Sequence, residues 1–124
     1  MVKSESYVPG CGDIVWINFD PQSGHEQAGR RPALVLSPQK YNLKVGLAIL
    51  CPITKNVKGY PFEVLVPKGF KVCGSILSDH VKNLDWRARE VEFIVKLPNN
   101  VIKDVLKKLG TLLSFQVSQS NNAV

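Results

Sequence analysis

A chain of 124 residues with 44% hydrophobic content has the size and composition of one globular domain, able to bury a core without a staple. Its formal net charge of +6 favours a polyanionic partner, either nucleic acid or an acidic protein. No apolar run reaches membrane-spanning length, MVKSESYVPG lacks the apolar stretch of a secretion signal, and Cys11, Cys51 and Cys73 are too few and too scattered for a disulfide framework or a zinc site.

The expectation is a soluble, cytoplasmic protein whose cysteines are small buried or semi-exposed apolar residues. Residues 1–12 are a polar lead-in that ends in the turn-forming Pro9-Gly10-Cys11-Gly12. Asp13 to Phe19 is a strand rich in β-branched and aromatic residues. A polar loop punctuated by Gly24 and Gly29 follows. Ala33 to Ser37 is a second, continuously apolar strand, and Pro32 places Arg31 at its rigid mouth. Gln39 to Lys44 has room for a single helical turn. Val45 to Ile53 is a third apolar run, in which Pro52 argues for a sheet edge or a strand end.

Thr54 to Gly59 is a basic polar loop. Pro61 to Pro67 sets Phe62, Val64 and Val66 against Glu63 and Leu65, the alternation of a half-buried strand. After a turn at Lys68 to Lys71, Val72 to Asp79 and Val91 to Leu97 are the remaining strand candidates. Short strands at this spacing predict a mostly β fold, a small closed antiparallel barrel of the SH3-like kind. A helix closes the pattern. Asn99 and Asn100 offer caps, Val101, Ile102, Val105, Leu106, Leu109, Leu112 and Leu113 recur at helical spacing, and Lys103, Asp104, Lys107 and Lys108 take the other side. Residues 1–117 form a single domain on this reading, and 118–124 a flexible polar tail.

Chemistry concentrates between Phe19 and Pro38, FDPQSGHEQAGRRPALVLSP. His25 and Glu26 are candidates for proton transfer, histidine because it titrates near neutral pH. All four arginines fall in two pairs, Arg30/Arg31 and Arg87/Arg89, which suggests a focused anion site. A guanidinium offers five donors in a planar fork and suits a phosphate that is gaining charge. The Thr54 hydroxyl, at the end of a strand, can hold a phosphate oxygen. Trp86 with Arg87 and Arg89 reads either as a base-stacking cluster or as core with charged neighbours. There is no Walker loop, Rossmann fingerprint, HExxH or carboxylate cluster, so neither a cofactor nor a metal is expected.

The loop, together with GDIVWINFD, CPITKNVKGYPFEV (Cys51 to Val64) and LSDHVKNLDWRAR (Leu77 to Arg89), resembles the MazF/PemK family of toxin endoribonucleases over roughly residues 10–90. The resemblance implies a CcdB/PemK-like barrel with a C-terminal helix. It implies a sequence-specific, metal-independent endoribonuclease that cuts single-stranded RNA, chiefly mRNA, and represses translation as the toxin of a type II toxin–antitoxin pair. It implies a homodimer, silenced by an acidic antitoxin segment lying over the RNA groove. Arg31 and Thr54 match the family's catalytic arginine and threonine, and His25 and Glu26 join them as catalytic candidates. Gln27, Arg30, Lys55, Asp79, His80 and Arg87 are the candidate RNA contacts. Two alternatives stay open: a non-nuclease gyrase poison of the CcdB kind, which this chain's loop and its Asn-Asn-Ala-Val end do not match, and an inactive RNA-binding barrel.

Overall fold

The three long apolar runs build the centre of the molecule. The computed structural model describes residues 7–21, Gly24 and residues 27–113. Strands β1 (Asp13–Asn18), β2 (Arg30–Val35) and β3 (Leu47–Thr54) form an antiparallel meander, with Ile14 opposite Leu34 and Leu34 opposite Cys51. Both faces of this meander are buried. Ile14, Leu34, Cys51 and Ile53 belong to one core cluster; Val15, Ile17, Ala33, Val35, Ala48 and Leu50 belong to the other. A strand covered on both faces has no polar side, which is why the middle of each run is apolar on both.

The first cluster is completed by β4 (Glu63–Leu65), β5 (Ser75–Leu77) and helix α2 (Asn99–Leu113), through Val64, Ile76, Val101, Ile102 and Val105. Ile94 and Val95 of β7 (Glu92–Lys96) pack against the same cluster. Since β4 and β7 stand at opposite ends of the strand order, a core shared by both means that the sheet curls around it. The fold is therefore mostly β, a barrel-like antiparallel sheet with a helix at its C-terminal side. No helix among the described residues is long and apolar enough to cross a membrane.

The second cluster is covered by Tyr7, Val8, Leu84, Val91 and the 3%-exposed Trp86. Its hub is polar. Asn42, fully buried in helix α1 (Gln39–Val45), donates to Pro9 O (2.7 Å) and Ser37 O (3.1 Å) and accepts the Ser37 hydroxyl (2.6 Å). Its backbone carbonyl takes the Trp86 indole N–H at 3.0 Å. Every partner is satisfied, which is the condition for burying an amide.

Several expectations are corrected. Pro52 lies in a central strand, not at an edge. Ile49 directs its carbonyl at Leu36 of the β2 side, so by alternation Pro52 faces the opposite edge. On that edge β6 (Lys82–Asp85) stops at Leu50 and β5 begins at Ile53, so the missing N–H falls between two partners. β2 starts at Arg30, which puts Arg31 inside the strand opposite Ile17. α1 has two turns rather than one, and β6 was not anticipated, because KNLD carries no strand pattern. Glu63 is buried and accepts from Lys58 N (3.1 Å), Gly59 N (2.8 Å) and the Ser75 hydroxyl (3.2 Å). On α2, Leu106, Leu112 and Leu113 are exposed, so the covered stripe is narrower than the apolar one. Of the thiols only Cys51 is buried; burial first, then the Asp79 charge, pushes it up to about 12.

Candidate active site

The inner face of the meander continues beyond its cover. Ile14 and Leu34 lie under α2 and β4–β5, but the next pair along the same face, Trp16 opposite Pro32, does not belong to the buried cluster. Here the sheet opens into a cleft of about 540 Å³, floored by Ile53 and Val72 and walled by Trp16, Arg30, Arg31, Thr54, Lys55 and Lys71. Its described lining contains no carboxylate. A second cleft of about 450 Å³, lined by Gln27, Lys58, Tyr60, Glu63 and His80, shares Thr54 and Asn56 with the first. The two clefts adjoin at these shared residues, a two-part groove with Thr54 between its halves.

Arg31 reaches the groove from β2. Its Nε donates to Ala28 O at 3.0 Å, which fixes the plane of the guanidinium. None of its other N–H groups is bonded to a described residue, so among the described residues nothing competes with a ligand for the end of the fork. Arg30 is differently committed: it donates to Glu90 O (2.8 Å) and forms an ion pair with Glu92 (3.0 Å), tying β2 to β7. Thr54 ends β3 and is buried. Its Oγ accepts Asn56 N–H at 3.1 Å and donates to no described residue, so the hydroxyl keeps a proton it can give. Gly74, at φ 128°, lies against the Thr54 carbonyl so closely that a Cβ there would sit 2.2 Å from the oxygen. Only glycine permits this approach, and it sets where Thr54 stands.

The loop that follows β1 is pinned at its base. Phe19 N donates to Gly29 O (2.9 Å), Gly29 N to Asp20 Oδ1 (2.8 Å), and Arg89 to the carbonyls of Asn18 (3.1 Å) and Asp20 (2.8 Å). His25 and Glu26 lie outside the described residues. On the far bank, the Tyr60 hydroxyl donates to Asp79 at 2.6 Å. Burial, then the Asp79 hydrogen bond and charge, raise the Tyr60 pKa well above that of a free phenol.

Of the residues singled out from sequence, the structure brings Arg30, Arg31, Thr54 and Lys55 to the first cleft and Gln27, Thr54 and His80 to the second. Asp79 lines neither and stands behind Tyr60. Arg87 also lines neither: its guanidinium lies 4.7 Å from the centre of the Trp86 ring. Trp86 is core and Arg89 is a loop anchor, so that group is not a base-stacking cluster. Sequence reasoning missed Trp16, Asn56, Lys58, Tyr60 and Lys71 as groove residues. Asn56 and Lys58 belong to a loop already marked as basic; nothing in the local sequence sets Trp16 or Lys71 apart. Among the described residues no three His, Cys, Asp or Glu side chains gather to hold a metal ion.

A family model described as the PemK-like, MazF-like toxin of type II toxin–antitoxin systems matches residues 11–113. The endoribonuclease toxin MazF of Escherichia coli (strain K12) is 53% identical over 83 residues, covering 67% of this chain and 74% of that one. The endoribonuclease toxin ChpB of the same strain is 36% identical over 119 residues, covering 91% of this chain and 99% of its own. Among solved structures, MazF from Deinococcus radiodurans superposes with a TM-score of 0.86 at 53% identity, covering 89% of this chain and all of that one (100%). A MazE–MazF structure from the same organism gives 0.79 at 47% identity, covering 89% and 99%.

Proposed function

This chain belongs to the PemK-like, MazF-like toxins of type II toxin–antitoxin systems, and from that premise we propose that it is an endoribonuclease acting on single-stranded RNA, chiefly mRNA. The observation that carries the proposal is the groove itself. A guanidinium whose forked end meets no partner among the described residues and a threonine hydroxyl whose oxygen is the acceptor of its one described hydrogen bond share one cation-walled cleft.

The chemistry follows from what those groups offer. The ribose 2′-hydroxyl loses its proton to a base and O2′ attacks the adjacent phosphorus. The P–O5′ bond then breaks, and the departing 5′-oxygen takes a proton. The products are a 2′,3′-cyclic phosphate, or the 3′-phosphate it opens to, and a 5′-hydroxyl. Arg31 stabilises the charge that grows on the phosphorane oxygens, and Thr54 donates to one of them. His25 and Glu26, between Asp20 and Gly29 in the sequence, are the groups we assign to proton transfer. The nucleophile comes from the RNA and the stabilising charge from Arg31, so the reaction as written requires no metal.

Sequence-specific cleavage of mRNA represses translation and growth in the cytoplasm. The active form is a homodimer, and an acidic antitoxin segment occupies the groove. The MazE–MazF structures of Deinococcus radiodurans support the antitoxin, and the cationic lining supports its charge. Salt weakens such binding through screening.

The test uses purified protein in excess EDTA with single-stranded RNA, double-stranded RNA and single-stranded DNA, followed by sequencing of the RNA ends. Single-stranded RNA is cut at a defined motif, the upstream fragments end in cyclic or 3′-phosphate, and DNA survives because it lacks the 2′-hydroxyl. An absolute need for added metal, or equal cutting of DNA, would overturn the mechanism.

A further inference from the structure

Trp16 departs from the pattern of its strand. Val15 and Ile17 beside it are fully buried, yet Trp16 is 39% exposed. β1 runs inside the sheet, between β2 and β7, where a large apolar side chain is ordinarily covered. Across one partner strand it faces Pro32 and across the other Glu92, whose carboxylate is held by Arg30. The indole thus forms part of the wall of the first cleft, in company with Arg31, Lys55 and Lys71. An apolar ligand would not need these cations, and a bare polyanion would not need an exposed indole. A flat ring carried on a phosphate chain uses both. The cleft volume of about 540 Å³ falls within the range of small-molecule sites.

We propose that Trp16 is a base-stacking platform, holding one unpaired nucleobase of the RNA beside the phosphate bound by Arg31. The proposal rests on the endoribonuclease reading above and names the side chain that binds a base. Because every nucleobase has a π face, stacking here adds affinity for unpaired strands without choosing a sequence. Base choice then falls to the polar second cleft, where Gln27 and His80 offer hydrogen-bonding edges.

The experiment compares two uncleavable single-stranded probes of equal length: a mixed-sequence 2′-O-methyl dodecamer and a fully abasic dodecamer with the same phosphates. Trp16→Leu keeps an apolar side chain but removes the π face. It should weaken the mixed-sequence probe by roughly 5- to 150-fold and leave the abasic probe nearly unchanged. Trp16→Phe should retain most of the affinity. The mixed-sequence probe should quench wild-type tryptophan fluorescence and barely affect Trp16→Phe, whose remaining indole, Trp86, is 3% exposed. An equal loss on both probes, or no loss on either, overturns the platform. Cleavage of single-stranded RNA is followed in parallel. Base-dependent loss without any wild-type cleavage would uphold the platform and overturn the nuclease reading; intact cleavage without that loss would do the reverse.

Discussion

Gly74→Ala tests how Thr54 is held in place. The added Cβ would lie 2.2 Å from the Thr54 carbonyl oxygen and 2.9 Å from its carbon. Both are backbone atoms, so no flexible side chain can yield. Ordinary contact requires the two segments to part by roughly 1 Å, and a misplacement of that size in a positioned group lowers turnover by about 100-fold. Gly74 and Ser75 lie at the β5 edge that pairs with Thr54, so the shift falls on Thr54 directly. The φ of 128° adds strain of about 1–3 kcal/mol for any L-residue. Gly69→Ala is the control: its φ of 95° is also strained, but nothing lies within 4 Å of the new Cβ. It should lower the melting temperature and leave turnover per folded molecule intact. The assay is single-turnover cleavage of a fluorescent single-stranded RNA at a temperature where circular dichroism shows both variants folded. Wild-type turnover in folded Gly74→Ala would refute the claim that this contact positions Thr54 for the reaction.

Arg31→Ala should lower the cleavage rate by about 100- to 1,000-fold while the protein stays folded, and Arg31→Lys should recover little of it, because a point charge cannot replace the fork; rates at saturating RNA check both. Asn42→Ala takes the acceptor from the Ser37 hydroxyl, which keeps only the Ile49 N–H, and the side-chain donor from the carbonyls of Pro9 and Ser37, at a cost of about 3 kcal/mol, or a drop of about 10 °C in melting temperature by calorimetry. Glu63 is held below the ordinary glutamate range: burial opposes ionisation, but hydrogen bonds from Gly59 N, Lys58 N and the Ser75 hydroxyl, with the Lys58 charge, outweigh it. Its stabilising effect is therefore complete well above the unfolded value of about 4.3 and is lost as pH falls through the lower folded value. Melting temperature should decline across that acid window, and Glu63→Gln should flatten this part of the decline while lowering stability at neutral pH.

The apolar runs within Asp13–Phe19, Ala33–Ser37 and Val45–Ile53 already disclose a mostly β chain, since strands buried on both faces carry few polar residues. The periodic leucines and valines after Pro98 disclose the last helix. Local pattern could not say which apolar residues stay uncovered. Leu106 belongs to the apolar stripe of its helix and Trp16 to an apolar strand, but cover is supplied by elements distant in the chain; Leu106 is left exposed, and at Trp16 that cover ends. The same holds for polar groups. Asn42 and Glu63 look like surface residues until Pro9, Ser37, Ser75 and the turn at Lys58 arrive to satisfy them. Arg31 and Thr54 are legible in the sequence because they match the family's catalytic arginine and threonine, and the chemistry of a guanidinium and a hydroxyl travels with the side chain. What tertiary structure decided is that β2 and β3 deliver them to one groove, that Arg30 is spent on Glu92, and that Arg87 lies over Trp86 instead. Residue type sets what a group can do, and the pairing of strands sets what it can reach.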